Sequence, residues 1–246
     1  MVTLMKIENI SYSVGALTCE GVLVYYQAAK NPPLLLMAPN WMGVTEKAIE
    51  GAKHLAALGY VVFLADMFGV AGRPTGQEVP MEFLGPLIRR PLETRARINA
   101  AFEAMTQAAL ERGVGDASRR AAIGYCFGGS NVLDLARSGA DVAAVVSMHG
   151  NLKTGMPAEP GAVKAKVLVV HGADDPIAPK GDRDALEDEM RKAGARWTIL
   201  AFGGVVHAFT DPNDNRPPVS QYSAYASHYG HGMAHEMIAD AFVGKL

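Results

Sequence analysis

Short, almost continuously apolar runs recur along the chain and alternate with longer amphipathic stretches. Each run is too short for a helix and too apolar for a strand with one solvent face, so each is predicted to be a buried strand covered on both faces. The runs are 34–38, 60–65, 121–125, 142–148, 167–171 and 198–202. Before them, the β-prone segments 7–14 and 21–28 are joined through Gly15 and predict an antiparallel hairpin.

Helical patterns separate the predicted strands. They span 45–58, 91–112, 128–138, 180–193 and 224–242. Alternating strands and helices predict one α/β domain over residues 1–246, with a mostly parallel twisted sheet and helices on both faces. Residues 68–90 are rich in Gly and Pro and are predicted to be an irregular loop that partly covers the functional site.

Composition narrows the class of protein. The net charge of the 246 residues is −2, and basic and acidic residues are interspersed. Binding to nucleic acid or to an anionic membrane surface is therefore not expected. Residues 1–10 lack the pattern of a signal peptide, and every apolar run is far shorter than the roughly 20 residues that span a bilayer. We expect a soluble, cytoplasmic protein that acts on a small molecule, with its oligomeric state left open.

The cysteines suggest a nucleophile. The chain has only Cys19 and Cys126, so free thiols are expected rather than a disulfide-bonded scaffold. Cys126 lies in Gly-Tyr-Cys-Phe-Gly-Gly, between a predicted strand and a predicted helix, which is typical of a nucleophile elbow. Gly124 and Gly128 provide the small neighbours that this sharp turn needs, and the helix N-terminus favours the reactive thiolate. Taken alone, the string fits a small buried hydrophobe equally well.

An acid and a histidine follow Cys126 in the order that such an elbow requires. Asp175 lies in His-Gly-Ala-Asp-Asp-Pro, directly after a predicted strand, and its neighbour Asp174 is the alternative acid. His207 lies in a Gly-rich loop after the last predicted strand. We predict that His207 acts as general base and then general acid for Cys126, while Asp175 orients the imidazole.

The loop after the third predicted strand, Ala-Pro-Asn-Trp-Met-Gly, has the position of an oxyanion loop. Its predicted donor is the backbone N–H of Trp41, and the second donor is the N–H of Phe127, directly after the nucleophile. Neither donor uses its side chain, so the identities of these residues cannot test the assignment.

Together these motifs resemble the dienelactone hydrolase family, from about residue 20 to the C-terminus. A cysteine in the elbow is the most specific shared feature, since most α/β-hydrolases have serine there. The resemblance implies an eight-stranded α/β-hydrolase fold, hydrolysis of an ester or lactone through an acyl-cysteine, and no cofactor.

Two positions depart from the family pattern. Asn40 stands where well-known members have a Glu that is implicated in thiol activation, and an amide cannot accept a proton. We expect Asn40 to contact the substrate. Asp211 stands four residues after His207, where members that bind a substrate carboxylate have Arg. Neutral substrates are therefore expected, although Arg73 or Arg89 could supply a replacement cation.

Other interpretations stay open at this point. His228, His231 and His235 fall on similar sides of the last helical pattern, which would suit a metal ligand set, but no carboxylate or Cys completes one and no metal site is predicted. Cys19 has no signature near it and is interpreted as structural. The alternative to an enzyme is a non-catalytic α/β-hydrolase relative that binds a small ligand.

Overall fold

The computed structural model describes residues 4–27 and 29–244. Ala28, which ends the predicted second strand, and residues 1–3 of the N-terminal segment lie outside this range. The strands are β1 Met5–Val14, β2 Leu17–Tyr26, β3 Pro33–Ala38, β4 Val61–Leu64, β5 Asp116–Tyr125, β6 Ala144–Met148, β7 Lys166–Gly172, β8 Arg196–Phe202, β9 Asn215–Arg216 and β10 Ser220–Gln221. The α-helices are α1 Glu46–Ala57, α2 Pro80–Ile88, α3 Pro91–Arg112, α4 Phe127–Arg137, α5 Lys180–Lys192 and α6 Ala224–Phe242.

The first eight strands form a mixed, mostly parallel sheet in the order β1-β2-β4-β3-β5-β6-β7-β8. The predicted hairpin is present, since β1 pairs antiparallel with β2 from Met5↔Tyr26 to Val14↔Leu17. β2 is also antiparallel to β4, whereas β3 with β4, β6 with β7 and β7 with β8 are parallel. This arrangement confirms the predicted α/β architecture.

Within this fold the chain forms two compact units, and their boundary lies inside β5, between Ala122 and Ile123. In the first unit, β4 is buried along its whole length. In the second unit, β6 and β7 are buried along their whole length. Burial on both faces, predicted from the apolar runs, is confirmed for these three strands. The single domain over residues 1–246 stays a prediction.

The helices lie close to their predicted bounds. α3 has the predicted ends because Pro91 suits the first helical position and Gly113, at φ 62°, takes the left-handed conformation that ends a helix. α6 begins after Ser223, whose hydroxyl accepts the Ala226 N–H at 3.2 Å. Across residues 4–27 and 29–244, no helix is both long and apolar enough to cross a bilayer.

The prediction of an irregular stretch over residues 68–90 is wrong for its second half. A 3₁₀ turn spans Val70–Gly72, and α2 occupies the last nine residues before Arg89. Pro80 begins α2 because its fixed φ suits the first turn, and Phe83 packs on Phe68 with ring centroids 5.2 Å apart. Tertiary packing therefore outweighs the Gly and Pro content, including Pro86 inside the helix.

The prediction that every apolar run is covered on both faces is wrong for β8. This strand lies at the edge of the sheet, and along it only Phe202 is buried. The edge position leaves its other residues partly or fully exposed. β5 is also longer than predicted, since it begins at Asp116, five residues before the apolar run at 121.

Candidate active site

Cys126 lies at a strained turn between β5 and α4. Its backbone has φ 54° and ψ −116°, a conformation that persists in a non-glycine residue only where the surroundings enforce it. Glycine is required at position 124 because a Cβ there would run into the backbone carbonyl of Gly128. Strand, sharp turn and helix thus follow one another as the elbow pattern predicts, and Cys126 is the N-cap residue of α4.

His207 lies between the thiol and an acid. Its Nε2 is 3.1 Å from Cys126 Sγ, and its Nδ1 is 2.8 Å from Asp175 Oδ2. His207 is only 4% exposed and Asp175 only 1%, whereas Cys126 is half-buried. A carboxylate can only accept a hydrogen bond, so Nδ1 carries a proton and Nε2 faces the sulfur.

Of the two adjacent acids, Asp175 is the one that contacts His207. Its second oxygen, Oδ1, accepts the backbone N–H of Ile177 at 2.8 Å and that of Ala178 at 3.4 Å. These bonds fix the carboxylate and leave Oδ2 for the imidazole. Asp174 is exposed on the same turn, and its backbone N–H is held by the carbonyl of Val205.

The electrostatic interactions among Asp175, His207 and Cys126 favour a charged imidazole. Burial lowers the pKa of His207, but the hydrogen bonds to Asp175 and to Cys126 outweigh burial and raise the pKa of His207 to about 10. An imidazolium is therefore favoured at neutral pH. A positive ring 3.1 Å from Sγ stabilises negative charge on the sulfur.

The loop that carries His207 is held by its own backbone. The His207 N–H donates to the Val219 carbonyl at 3.2 Å, and the Gln221 N–H donates to the His207 carbonyl at 3.0 Å. The short strands β9 and β10 pair just beyond these bonds. Sequence reasoning missed this antiparallel turn because two-residue strands leave no periodic signal.

The predicted oxyanion and substrate-binding residues are divided between the two units. Asn40 and Trp41 belong to the first, where Asn40 Oδ1 accepts the Met42 N–H at 3.0 Å and the Trp41 ring packs edge-on against Phe83 at 6.4 Å. Phe127 belongs to the second unit and is the first residue of α4. The roles of Asn40, Trp41 and Phe127 stay predictions.

His149, after β6, is a site neighbour that sequence reasoning missed. The ring is 3% exposed and meets the His207 ring edge-on, with centroids 5.3 Å apart. The Nδ1 atom of His149 is 3.2 Å from the backbone nitrogen of Cys126, and its Nε2 atom is 2.7 Å from Thr210 Oγ1. The only sequence signal was a histidine directly after an almost continuously apolar run.

The charged residues also differ from the expectation. Arg73, a candidate cation for an anionic substrate, is bound to buried Asp66 with Nη2 to Oδ2 at 3.0 Å. Arg216 was not predicted; its Nη2 is 2.6 Å from Asp214 Oδ2. The pKa of Arg216 is raised, chiefly by this hydrogen bond, with smaller contributions from the charges of Cys126 and Asp211. A paired guanidinium therefore lies within electrostatic reach of the thiol.

Of the three histidines on α6, His231 faces the protein. Its Nδ1 is 2.8 Å from the Ser227 carbonyl oxygen, so Nδ1 donates, and Nε2 accepts from Tyr125 Oη at 3.2 Å. In the part of the chain that the structure describes, no three His, Cys, Asp or Glu side chains group in a way that could hold a metal ion.

The second thiol has a different environment. Cys19 lies in β2 and is 0% exposed. Burial, and next to it the Asp66 charge, raise the pKa of the Cys19 thiol. Both effects reduce the fraction of reactive thiolate, and burial also blocks the access of reagents to the sulfur.

We therefore expect iodoacetamide to alkylate Cys126 at least about tenfold faster than Cys19 in the native protein. Peptide mapping by mass spectrometry after brief labelling at neutral pH measures the two rates. Labelling in denaturant is the control, since both thiols should then react alike. Preferential labelling of Cys19 in the native protein would contradict the expectation.

Comparison with known proteins identifies the family. The sequence profile of the dienelactone hydrolase family matches residues 20–240. A solved structure described as a dienelactone hydrolase-like promiscuous phosphotriesterase, P91 from metagenomic libraries, is 32% identical, with a TM-score of 0.83 over 97% of this chain and 99% of that one. A second, named m3DLH, is 30% identical, with a TM-score of 0.87 and the same coverage.

A curated protein from Salmonella typhimurium, provisionally described as a carboxymethylenebutenolidase, is 24% identical over 201 residues. The match covers 78% of this chain and 72% of that protein. The profile match spans most of the chain, and P91 is similar over nearly its full length. The chain therefore belongs to the dienelactone hydrolase family of α/β-hydrolases, and this membership supports a hydrolytic function.

Proposed function

We propose that the protein hydrolyses a small ester or lactone through an acyl-cysteine intermediate. Cys126 is the nucleophile, His207 the general base and then the general acid, and Asp175 the residue that orients His207. The observation that carries the proposal is the continuous row of contacts from Asp175 Oδ2 to His207 Nδ1 and from His207 Nε2 to Cys126 Sγ. A merely structural buried cysteine does not need a histidine held in a fixed tautomer beside it.

In the reactive form the proton of Cys126 already lies on His207 Nε2, and the Sγ thiolate attacks the carbonyl carbon of the substrate. The carbonyl π electrons move onto oxygen, and the backbone N–H groups of Phe127 and Trp41 are the proposed donors to that oxyanion. When the oxyanion collapses, the C–O bond to the leaving group breaks. Nε2 returns the proton to the departing alkoxide, which leaves as an alcohol.

In the second half-reaction a water molecule attacks the thioester carbonyl while His207 Nε2 takes its proton. The C–S bond then breaks, a carboxylic acid leaves, and the thiolate and imidazolium are restored. Asp175 keeps Nδ1 protonated throughout and stabilises the positive ring. No oxidant, reductant or metal ion is needed for this sequence.

The charges beside the site favour a neutral substrate. Arg216 is paired with Asp214. Asp211 lies three residues before Asp214 and contributes to the electrostatics of Arg216. A substrate carboxylate would have to compete with Asp214 for the guanidinium and approach Asp211, so we propose uncharged esters and lactones as the substrate class.

The test is a panel of neutral p-nitrophenyl esters, neutral lactones, a lactone bearing a carboxylate, and a phosphate triester, the last because P91 is described as a phosphotriesterase. We expect the wild type to hydrolyse neutral esters or lactones with the highest kcat/KM and Cys126→Ala to lose that activity. Cys19→Ala is the matched control and should keep it, since Cys19 lies in β2 of the other unit.

Two outcomes would overturn the proposal. Undiminished hydrolysis by folded Cys126→Ala would exclude the nucleophile. Binding of lactones without turnover by the wild type would favour the ligand-binding alternative. Mass spectrometry after rapid acid quench gives a direct readout, since an acyl group should appear on the peptide that contains Cys126.

A further inference from the structure

His149 makes two directional hydrogen bonds that connect separate parts of the site. The Cys126 backbone N–H can only donate, so His149 Nδ1, 3.2 Å away, accepts it. The same N–H also donates to the Met148 carbonyl at 3.0 Å. With Nδ1 as acceptor, a neutral ring carries its proton on Nε2, which then donates to Thr210 Oγ1 at 2.7 Å.

The ring stays neutral because of its surroundings. Burial, and next to it the positive charge of His207, hold the pKa of His149 well below its usual range. The titratable residues around it include Cys126, His207, His231 and Tyr125, and the ring centroid of Tyr125 is 6.3 Å from that of His149. A protonated ring would point an N–H at the N–H of Cys126 and break that bond.

Strained backbone concentrates where these bonds are made. Among the described residues, the non-glycine positions with positive φ are Asn31, Cys126, His149 and Ala208. The last three are the nucleophile, the residue that bonds its N–H, and the residue after His207. Such conformations persist only when neighbouring contacts enforce them. The His149 backbone is itself held, since its N–H donates to the Val170 carbonyl at 2.8 Å.

We propose that His149 is a positioning residue. Through Nδ1 it is bonded to the strained turn of Cys126, and through Nε2 it is bonded to the loop that carries His207. These two bonds fix the distance between Cys126 Sγ and the imidazole of His207. The proposal rests on the proposed function, in which that distance controls proton transfer. In this role His149 acts through its contacts with the Cys126 backbone N–H and the Thr210 hydroxyl.

A double-mutant cycle tests the connection. Thr210→Val removes the hydroxyl at nearly constant volume. His149→Asn keeps an acceptor near the Cys126 N–H, tolerates positive φ, and no longer reaches Thr210. We expect each variant to lower kcat about tenfold with KM changed less than about twofold, and the double variant to be no worse than either one. Thr210→Ser, which keeps the hydroxyl, should restore most of kcat.

A second measurement does not depend on turnover. Long-range ¹H–¹⁵N spectra of histidine-labelled protein at neutral pH report which ring nitrogen is protonated, and His149→Asn assigns the signal. We expect His149 as the Nε2–H tautomer, and Thr210→Val should perturb that signal. Nδ1 protonation would overturn the proposal, as would kcat losses that multiply in the double variant or a Thr210→Ser variant as slow as Thr210→Val.

If the proposed hydrolytic function is wrong, the experiments give a different set of results from those expected if only the role of His149 is wrong. In that case Cys126→Ala would keep its activity, while the tautomer of His149 and its response to Thr210→Val would be unaffected. If the function holds and His149 does not position the thiol, Cys126→Ala is inactive and the Thr210→Val variant has the kcat of the wild type.

Discussion

His207→Ala is expected to lower kcat/KM for a neutral p-nitrophenyl ester by about a thousandfold or more, because it removes the proposed general base and general acid. Asp175→Asn should cost at least about a hundredfold, because the amide can turn its NH₂ toward Nδ1 and favour the wrong tautomer. Steady-state kinetics on purified variants, with circular dichroism to verify folding, measure both effects.

Asp174→Asn is the matched control for the acid. It makes the same chemical change on the same turn, but Asp174 is exposed whereas Asp175 is 1% exposed and 2.8 Å from Nδ1. The control should stay within about twofold of the wild type. Equal losses in the two asparagine variants would refute the assignment of Asp175, and so would a large loss in Asp174→Asn alone.

Gly124→Ala is expected to have the largest effect on stability, with a loss of about 3 kcal/mol or more in the free energy of unfolding. The added methyl group would meet the carbonyl of Gly128 and the nitrogen of Gly129, which are backbone atoms that cannot turn aside. Relief requires β5 and α4 to separate at the turn that holds Cys126. Urea unfolding monitored by circular dichroism measures the change, and activity should fall with it.

Gly232→Ala provides the comparison. Gly232 lies inside α6, is exposed, and has no atom within 4 Å of the position that a Cβ would take. Alanine is favoured over glycine in a helix interior by about 0.5–1 kcal/mol, so this variant should be as stable as the wild type or more stable. Wild-type stability in Gly124→Ala would show that the elbow tolerates a side chain.

Local signals were sufficient for most of the elements. The apolar runs located β4, β6 and β7 to within two residues, because burial on both faces leaves an uninterrupted apolar string. Helix bounds were accurate where a cap marks them, as at Gly113 after α3. The errors at α2 and β8 have one cause. The local sequence of a segment does not specify which distant residues pack against it. Packing of Phe83 on Phe68 stabilises α2, and the edge position exposes β8.

The sequence alone determined the α/β class, the chain order of Cys126, Asp175 and His207, and the glycine at position 124 that the turn needs. These are properties of short segments, in which residue type and spacing express the chemistry directly. Only the tertiary structure decided which acid faces His207 and which residues support the thiol. His149 is 23 positions from Cys126 and 61 from Thr210, and bonds of 3.2 and 2.7 Å over such separations arise from strand pairing and loop closure. No spacing pattern encodes those distances, because they depend on where the rest of the chain places each segment.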